Sequence, residues 1–211
     1  DSLLVCCISL LENTNYFDQL FVFSAIESRV RNFLSDGTIQ KTKKIEYVDF
    51  FLENARKSLQ SASLLYAGTT KKELQEAYGF EDFDGSLWII NASYYSMFYM
   101  ARALLAKEGI KLKGDLSIHL VAFDALVYFF YLTGKLQKKL IEDFAEAKDE
   151  ATEILGQEKA KGLIEDYYYE KQKRSDFTYE MGLTAMLNKA QTSLERARKF
   201  NEEIRKIIKI R

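Results

Sequence analysis

The sequence predicts an all-α protein, an up-and-down antiparallel helical bundle with an N-terminal helical extension, and three observations carry that prediction. Proline is absent from all 211 residues, and proline is the residue that punctuates loops and strand edges and is costly inside helices. Apolar residues recur at three- and four-residue spacing through nearly everything after Asp18, the period of a helix with one buried face. Glycines follow these segments at Gly37, Gly68, Gly109, Gly134 and Gly156, where a left-handed residue ends a helix.

The elements follow in chain order. Phe21, Ala25, Val30, Phe33 and Leu34 share roughly one side of a first helix that stops at Asp36-Gly37. From about Tyr47 to Ala67 the positions Val48, Phe51, Leu52, Ala55, Leu59, Ala62 and Leu65 mark an amphipathic helix, with Gly68 at its left-handed cap. Residues 69 to 85 hold five acidic side chains between Glu73 and Asp84 and imply a loop with one short helix, after which Ser86 offers an N-cap. Leu87 to Glu108 is apolar on most sides, as expected of a central helix touched by several neighbours. Ser117 is placed to cap a helix carrying Leu120, Phe123, Val127 and Phe130. Leu136 to Leu155 forms another helix, ending at Gly156, and the last begins near Thr184 and runs to the C-terminus. Repeats, low-complexity tracts and interdomain linkers are absent from the sequence. The organisation expected is an extension over residues 1–45 and a bundle over 46–211, of five to seven helices in all.

Composition narrows the function. With 30 basic and 31 acidic residues the net charge is −1, so affinity for nucleic acid has to come from a local patch. Residues 142–170 hold ten acidic and three basic side chains, while residues 186–211 hold eight basic and three acidic. The basic end either faces phosphate or complements the acidic helices and the C-terminal dipole. Cys6 and Cys7 are adjacent, which disfavours an unstrained disulfide, so both are expected as buried thiols in a reducing compartment. The apolar run Leu3–Leu11 is too short to span a bilayer and lacks a basic stretch before it. A cytoplasmic protein without membrane association is expected.

Most catalytic signatures are missing. The sequence has no GxxxxGK[ST] loop, no GxGxxG, no HExxH and a single histidine, His119, which disfavours most hydrolytic and nucleotide-transfer classes. One histidine and two adjacent cysteines do not make a zinc site, and no metal or cofactor is expected. Glu142, Glu146, Asp149 and Glu150 stand at helical spacing, but a di-iron bundle asks for Glu-x-x-His on two helices. Cations, aromatics and hydroxyls crowd into the run from Asp166 to Tyr179. Arg174 offers a guanidinium fork, Lys171 and Lys173 add charge, and Tyr167, Tyr168 and Tyr169 offer stacking surfaces for bases. The alternative is that Arg174 pairs with Asp176 and the tyrosines only pack.

Three stretches together resemble the HEPN family, the higher eukaryotes and prokaryotes nucleotide-binding domain. They are Phe51 to Leu59, reading FLENARKSL; Asn91 to Leu105, reading NASYYSMFYMARALL; and Arg174 to Tyr179, reading RSDFTY. The likeness lies with the short prokaryotic branch and spans about Val48 to Ile204, leaving the first forty residues outside. It implies a helical bundle that forms homodimers and is often encoded with a small nucleotidyltransferase as a toxin and antitoxin pair. Active members of the family are metal-independent ribonucleases with an Arg-x(4 to 6)-His motif. Arg174 matches the motif arginine, but Tyr179 stands where the histidine belongs, and a phenol is a poor general base at neutral pH.

The resemblance implies a nucleotide- or RNA-binding bundle without the standard ribonuclease histidine. Arg174 would hold phosphate, Asp176 would orient it, and Tyr179, Lys171 and Lys173 would add hydrogen bonds and charge. The catalytic candidates are Arg174 and Tyr179. His119 is expected as a hydrogen-bonded structural residue near a helix start, and Tyr94 and Tyr95 as core aromatics. Two alternatives stand beside this: a divergent metal-independent ribonuclease, in which Arg174 and Tyr179 suffice or His119 reaches the site from another helix, and a non-catalytic interaction bundle that partners a nucleotidyltransferase.

Overall fold

The computed structural model describes the backbone of residues 16–43, 45–113, 118–168 and 176–210, and side chains over 22–43, 45–113, 118–153 and 186–209. The described elements are α1 (Tyr16–Ser35), β1 (Ile39–Lys41), α2 (Val48–Thr70), α3 (Lys72–Tyr78), α4 (Ser86–Lys107), β2 (Ile110–Leu112), α5 (Ile118–Leu126) with a π-helical turn over Val127–Tyr131, α6 (Lys138–Tyr168) and α7 (Asp176–Ile210). Helix packs on helix throughout, and the protein is an all-α bundle.

The centre is α4. Its Met97, Met100, Leu104 and Leu105 are fully buried, together with Phe144 of α6 and Phe200 of α7, whose rings stack at 5.5 Å. Each such aliphatic side chain contributes about 1.5–3 kcal/mol by leaving water. Directions follow from the contacts. Ala55 meets Ser96 and Ala62 meets Ile89, so α2 and α4 are antiparallel. Glu153 pairs with Lys189 and Glu146 with Arg196, so α6 and α7 are antiparallel. A buried relay ties three of these helices: the Ser96 hydroxyl donates to the Ala55 carbonyl at 2.7 Å and accepts from Asn201 Nδ2 at 2.6 Å.

The N-terminal segment shares this core. Val22, Ile26 and Val30 of α1 are buried in the same cluster as Tyr94 and Phe144. Arg29 clamps the fully buried Asp124 of α5 with two hydrogen bonds of 2.7 and 2.9 Å. Gly109, at φ +71°, brings the chain from α4 into an antiparallel β1–β2 ladder that pairs Ile39 with Leu112 and Lys41 with Ile110. A Cβ at Gly109 would overlap the Thr42 carbonyl oxygen.

Several local expectations are corrected. Gly68 does not cap α2; the helix continues to Thr70, and the Thr69 and Thr70 hydroxyls donate back to the Leu65 and Tyr66 carbonyls. A Cβ at Gly68 would stand 3.4 Å from the Phe83 ring, an ordinary contact. Gly156 does not end its helix either, since α6 passes through it to Tyr168, and α7 begins at Asp176 rather than near Thr184. Ser86 opens α4 without capping it, and the Asp84 carboxylate accepts the Ser86 N–H at 2.9 Å instead. The proposed cap Ser117 lies outside the described residues. No described helix is long and apolar enough to cross a membrane.

Candidate functional site

Sequence reasoning drew α4 as apolar nearly all round, but one stripe of it faces outward. Trp88 is 59% exposed and Tyr95 37% exposed, and with Tyr99 and Arg102 they occupy positions i, i+7, i+11 and i+14, a single helix face. Tyr94, one residue round, is buried as expected, while its neighbour Tyr95 is not a core residue. The helix turns between them because successive residues differ by about 100°.

Between this stripe and α2 lies a groove of about 650 Å³, walled by Ser58, Ser61 and Leu65 on one side and Trp88, Tyr95 and Tyr99 on the other. Its wall also holds Asn91, whose Oδ1 has no hydrogen-bond partner. At the far end Tyr99 stacks on Phe51 of α2, with centroids 6.5 Å apart and planes at 22°.

Arg102 closes that end. Its guanidinium lies 4.6 Å from the Phe51 ring centroid and 5.7 Å from that of Phe98, and it pairs with no carboxylate among the described residues. Burial pushes its pKa below the ordinary guanidinium value, yet an arginine stays charged. A half-buried cation resting on aromatic faces, its fork unclaimed, is suited to a bidentate anion such as phosphate.

His119, near the start of α5, packs on the same aromatics. Its ring lies 4.3 Å from Phe98 and edge-on to Tyr95 at 5.7 Å. The Tyr94 hydroxyl is hydrogen-bonded to His119 Nδ1 at 2.6 Å. Burial holds the Tyr94 phenol far above its ordinary pKa, so it keeps its proton. The bond is made either with the O–H donating to Nδ1 and the ring hydrogen on Nε2, or with Nδ1–H donating to the phenol oxygen and Nε2 open as an acceptor. Desolvation, and after it the charges of Arg102 and Lys148, pull the His119 pKa below 6.5. The site therefore presents a neutral imidazole beside a cation and a row of aromatic faces.

Arg174, Lys171 and Lys173 lie outside the described residues. Asp176 and Tyr179 fall in the opening turns of α7, their side chains also outside the described set. The carboxylates of α6 answer the charge asymmetry: Arg196, 8% exposed, reaches Glu146 at 2.7 Å, Glu150 at 3.0 Å and Asp143 at 3.9 Å. Glu142 pairs with Lys138 and Asp149 with Lys148, and among the described residues no His/Cys/Asp/Glu group is arranged to hold a metal ion. Arg102 and the outward face of Trp88, Tyr95 and Tyr99 are what sequence reasoning missed. The available signal was one arginine inside an otherwise apolar helix, seven residues after Tyr95.

Comparisons with protein-family models, with curated proteins and with solved structures found no match.

Proposed function

We propose that the protein binds single-stranded RNA or nucleotides along the outward face of α4, with Arg102 taking a phosphate and Trp88, Tyr95 and Tyr99 stacking bases. The observation that carries this reading is the Arg102 guanidinium on the Phe51 ring, free of any described carboxylate and continuous with an exposed aromatic row. Single-stranded nucleic acid is held by that pairing of backbone charge and aromatic platforms. The resemblance to the HEPN family supports the same ligand class, and it adds Arg174, Lys171 and Lys173 as a second source of phosphate contacts.

Binding is favoured over cleavage because Tyr179 stands where the resemblance calls for the motif histidine, and a phenol is a poor general base at neutral pH. The resemblance's other expectation, a homodimer or a nucleotidyltransferase partner, is supported by a separate apolar corner. Leu64, Tyr78 and Phe80 are 61–71% exposed around a groove between α2 and α3.

The test is fluorescence anisotropy with labelled mixed-sequence RNA in metal-free buffer. Arg102→Ala and Tyr95→Ala are each expected to weaken binding about tenfold, and the RNA is expected to remain intact. Arg174→Ala is expected to weaken binding as well. Affinity unchanged in both Arg102→Ala and Arg174→Ala overturns the reading. RNA cut without metal, in an Arg174-dependent or His119-dependent manner, moves the assignment to a divergent ribonuclease.

A further inference from the structure

We propose that the cavity beside β2, between α2 and α4, is a binding site for one nucleoside monophosphate. It rests on the reading above for its ligand class and shares Arg102 and Phe51 with that face, but adds Tyr47 and Lys111 and does not include Trp88, Tyr95 or Tyr99. The cavity is about 250 Å³ and is lined by Thr42, Glu46, Tyr47, Phe51, Arg102 and Lys111, among others. That volume lies just below the usual range of ligand cavities, which excludes a strand and limits the site to one small ligand.

Two cations and two aromatic rings converge there from four separate elements. Arg102 comes from α4, Lys111 from an exposed position of β2, Phe51 from α2, and Tyr47 from the turn before it. The Lys111 ammonium lies 5.9 Å from the Tyr47 ring centroid, and the Arg102 guanidinium lies 4.6 Å from that of Phe51. Each aromatic face thus has a cation beside it, which suits a ligand joining a planar base to an anion. The guanidinium fork accepts two phosphate oxygens, and the ammonium adds a movable point charge.

The backbone is shaped around this cavity. Tyr47 holds φ +66°, a left-handed conformation that is an outlier for a bulky residue and that gathers at ligand clamps. It leaves the Tyr47 side chain 57% exposed at the cavity wall rather than packed in the core. On the other side, the Thr42 N–H donates to the Gly109 carbonyl at 2.8 Å, an approach only glycine permits, and this fixes β2 and its Lys111 over the cavity.

The experiment is titration calorimetry of the full chain with AMP, UMP, adenosine and inorganic phosphate. One AMP or UMP per chain is expected, with both adenosine and phosphate at least about tenfold weaker. Lys111→Ala, at an exposed position of β2, is expected to weaken the nucleotide severalfold, and Arg102→Met by about tenfold. Trp88→Ala is expected to leave the nucleotide site intact while weakening RNA. Absence of binding by both nucleotides at millimolar concentration overturns the proposal, as does an affinity that Lys111→Ala leaves unchanged. Phosphate binding as tightly as the nucleotides also overturns it. Nucleotide binding that depends on Lys111 while RNA fails to bind at the α4 face keeps this site and removes the RNA reading; the reverse pattern does the opposite.

Discussion

The Tyr94 hydroxyl and His119 Nδ1 are hydrogen-bonded at 2.6 Å, which fixes the imidazole against the aromatic face of α4. Desolvation and the nearby Arg102 and Lys148 charges keep the folded-state pKa below 6.5, so at mildly acidic pH the unfolded chain binds the extra proton. The His119 contribution to stability is therefore complete above about pH 6.5 and is lost as pH falls through the folded-state value. Urea midpoints measured from pH 8 downward are expected to show this acid-side loss, and His119→Gln to remove that component. As the sole histidine, its NMR titration is unambiguous, and a pKa above 6.5 would contradict the account.

The Arg29–Asp124 clamp predicts that α1 is part of the folding unit. Asp124 is wholly buried and receives both Arg29 hydrogen bonds. Arg29→Met strands a buried carboxylate and is expected to cost about 3 kcal/mol in chemical denaturation. Adding Asp124→Leu is expected to recover much of that loss, because the uncompensated charge disappears.

Arg196 predicts a similar cost on the opposite side. It is 8% exposed and is the shared partner of Glu146, Glu150 and Asp143. Arg196→Met is expected to destabilise by about 3 kcal/mol and to loosen α6 from α7. Hydrogen exchange along α6 checks the location of the effect.

Two left-handed glycines separate strain from collision. Gly79, at φ +66°, has open space where a Cβ would stand, whereas Gly109, at φ +71°, faces the Thr42 carbonyl. Gly79→Ala is expected to cost about 1 kcal/mol from backbone strain alone. Gly109→Ala adds a steric overlap and is expected to cost at least about 3 kcal/mol, read from denaturation midpoints.

The fold class was legible because its signals are local. Three- and four-residue periodicity over long segments, with no proline, leaves little but helix. Gly37, Gly109 and Gly134 do adopt positive φ at chain turns. Gly68 and Gly156 misled because a glycine inside a helix costs only about 1 kcal/mol, which neighbouring contacts outweigh; nothing within the local sequence distinguishes it from a cap. Strands of three residues carry too little alternation to be seen. The candidate site was less legible, since its parts are distant in sequence. Arg102 meets Phe51 only when α2 packs on α4, and Tyr95 reads as core until the packing of the described residues leaves it 37% exposed.

Trp88, the sole tryptophan and 59% exposed on the proposed face, permits the most direct test. Its fluorescence would be followed while single-stranded RNA is added at several salt concentrations. The account predicts saturable quenching as bases stack, weakening with salt, and a midpoint shifted about tenfold in Arg102→Ala. RNA that binds without changing Trp88 emission, or a titration that Arg102→Ala leaves unaltered, would contradict it.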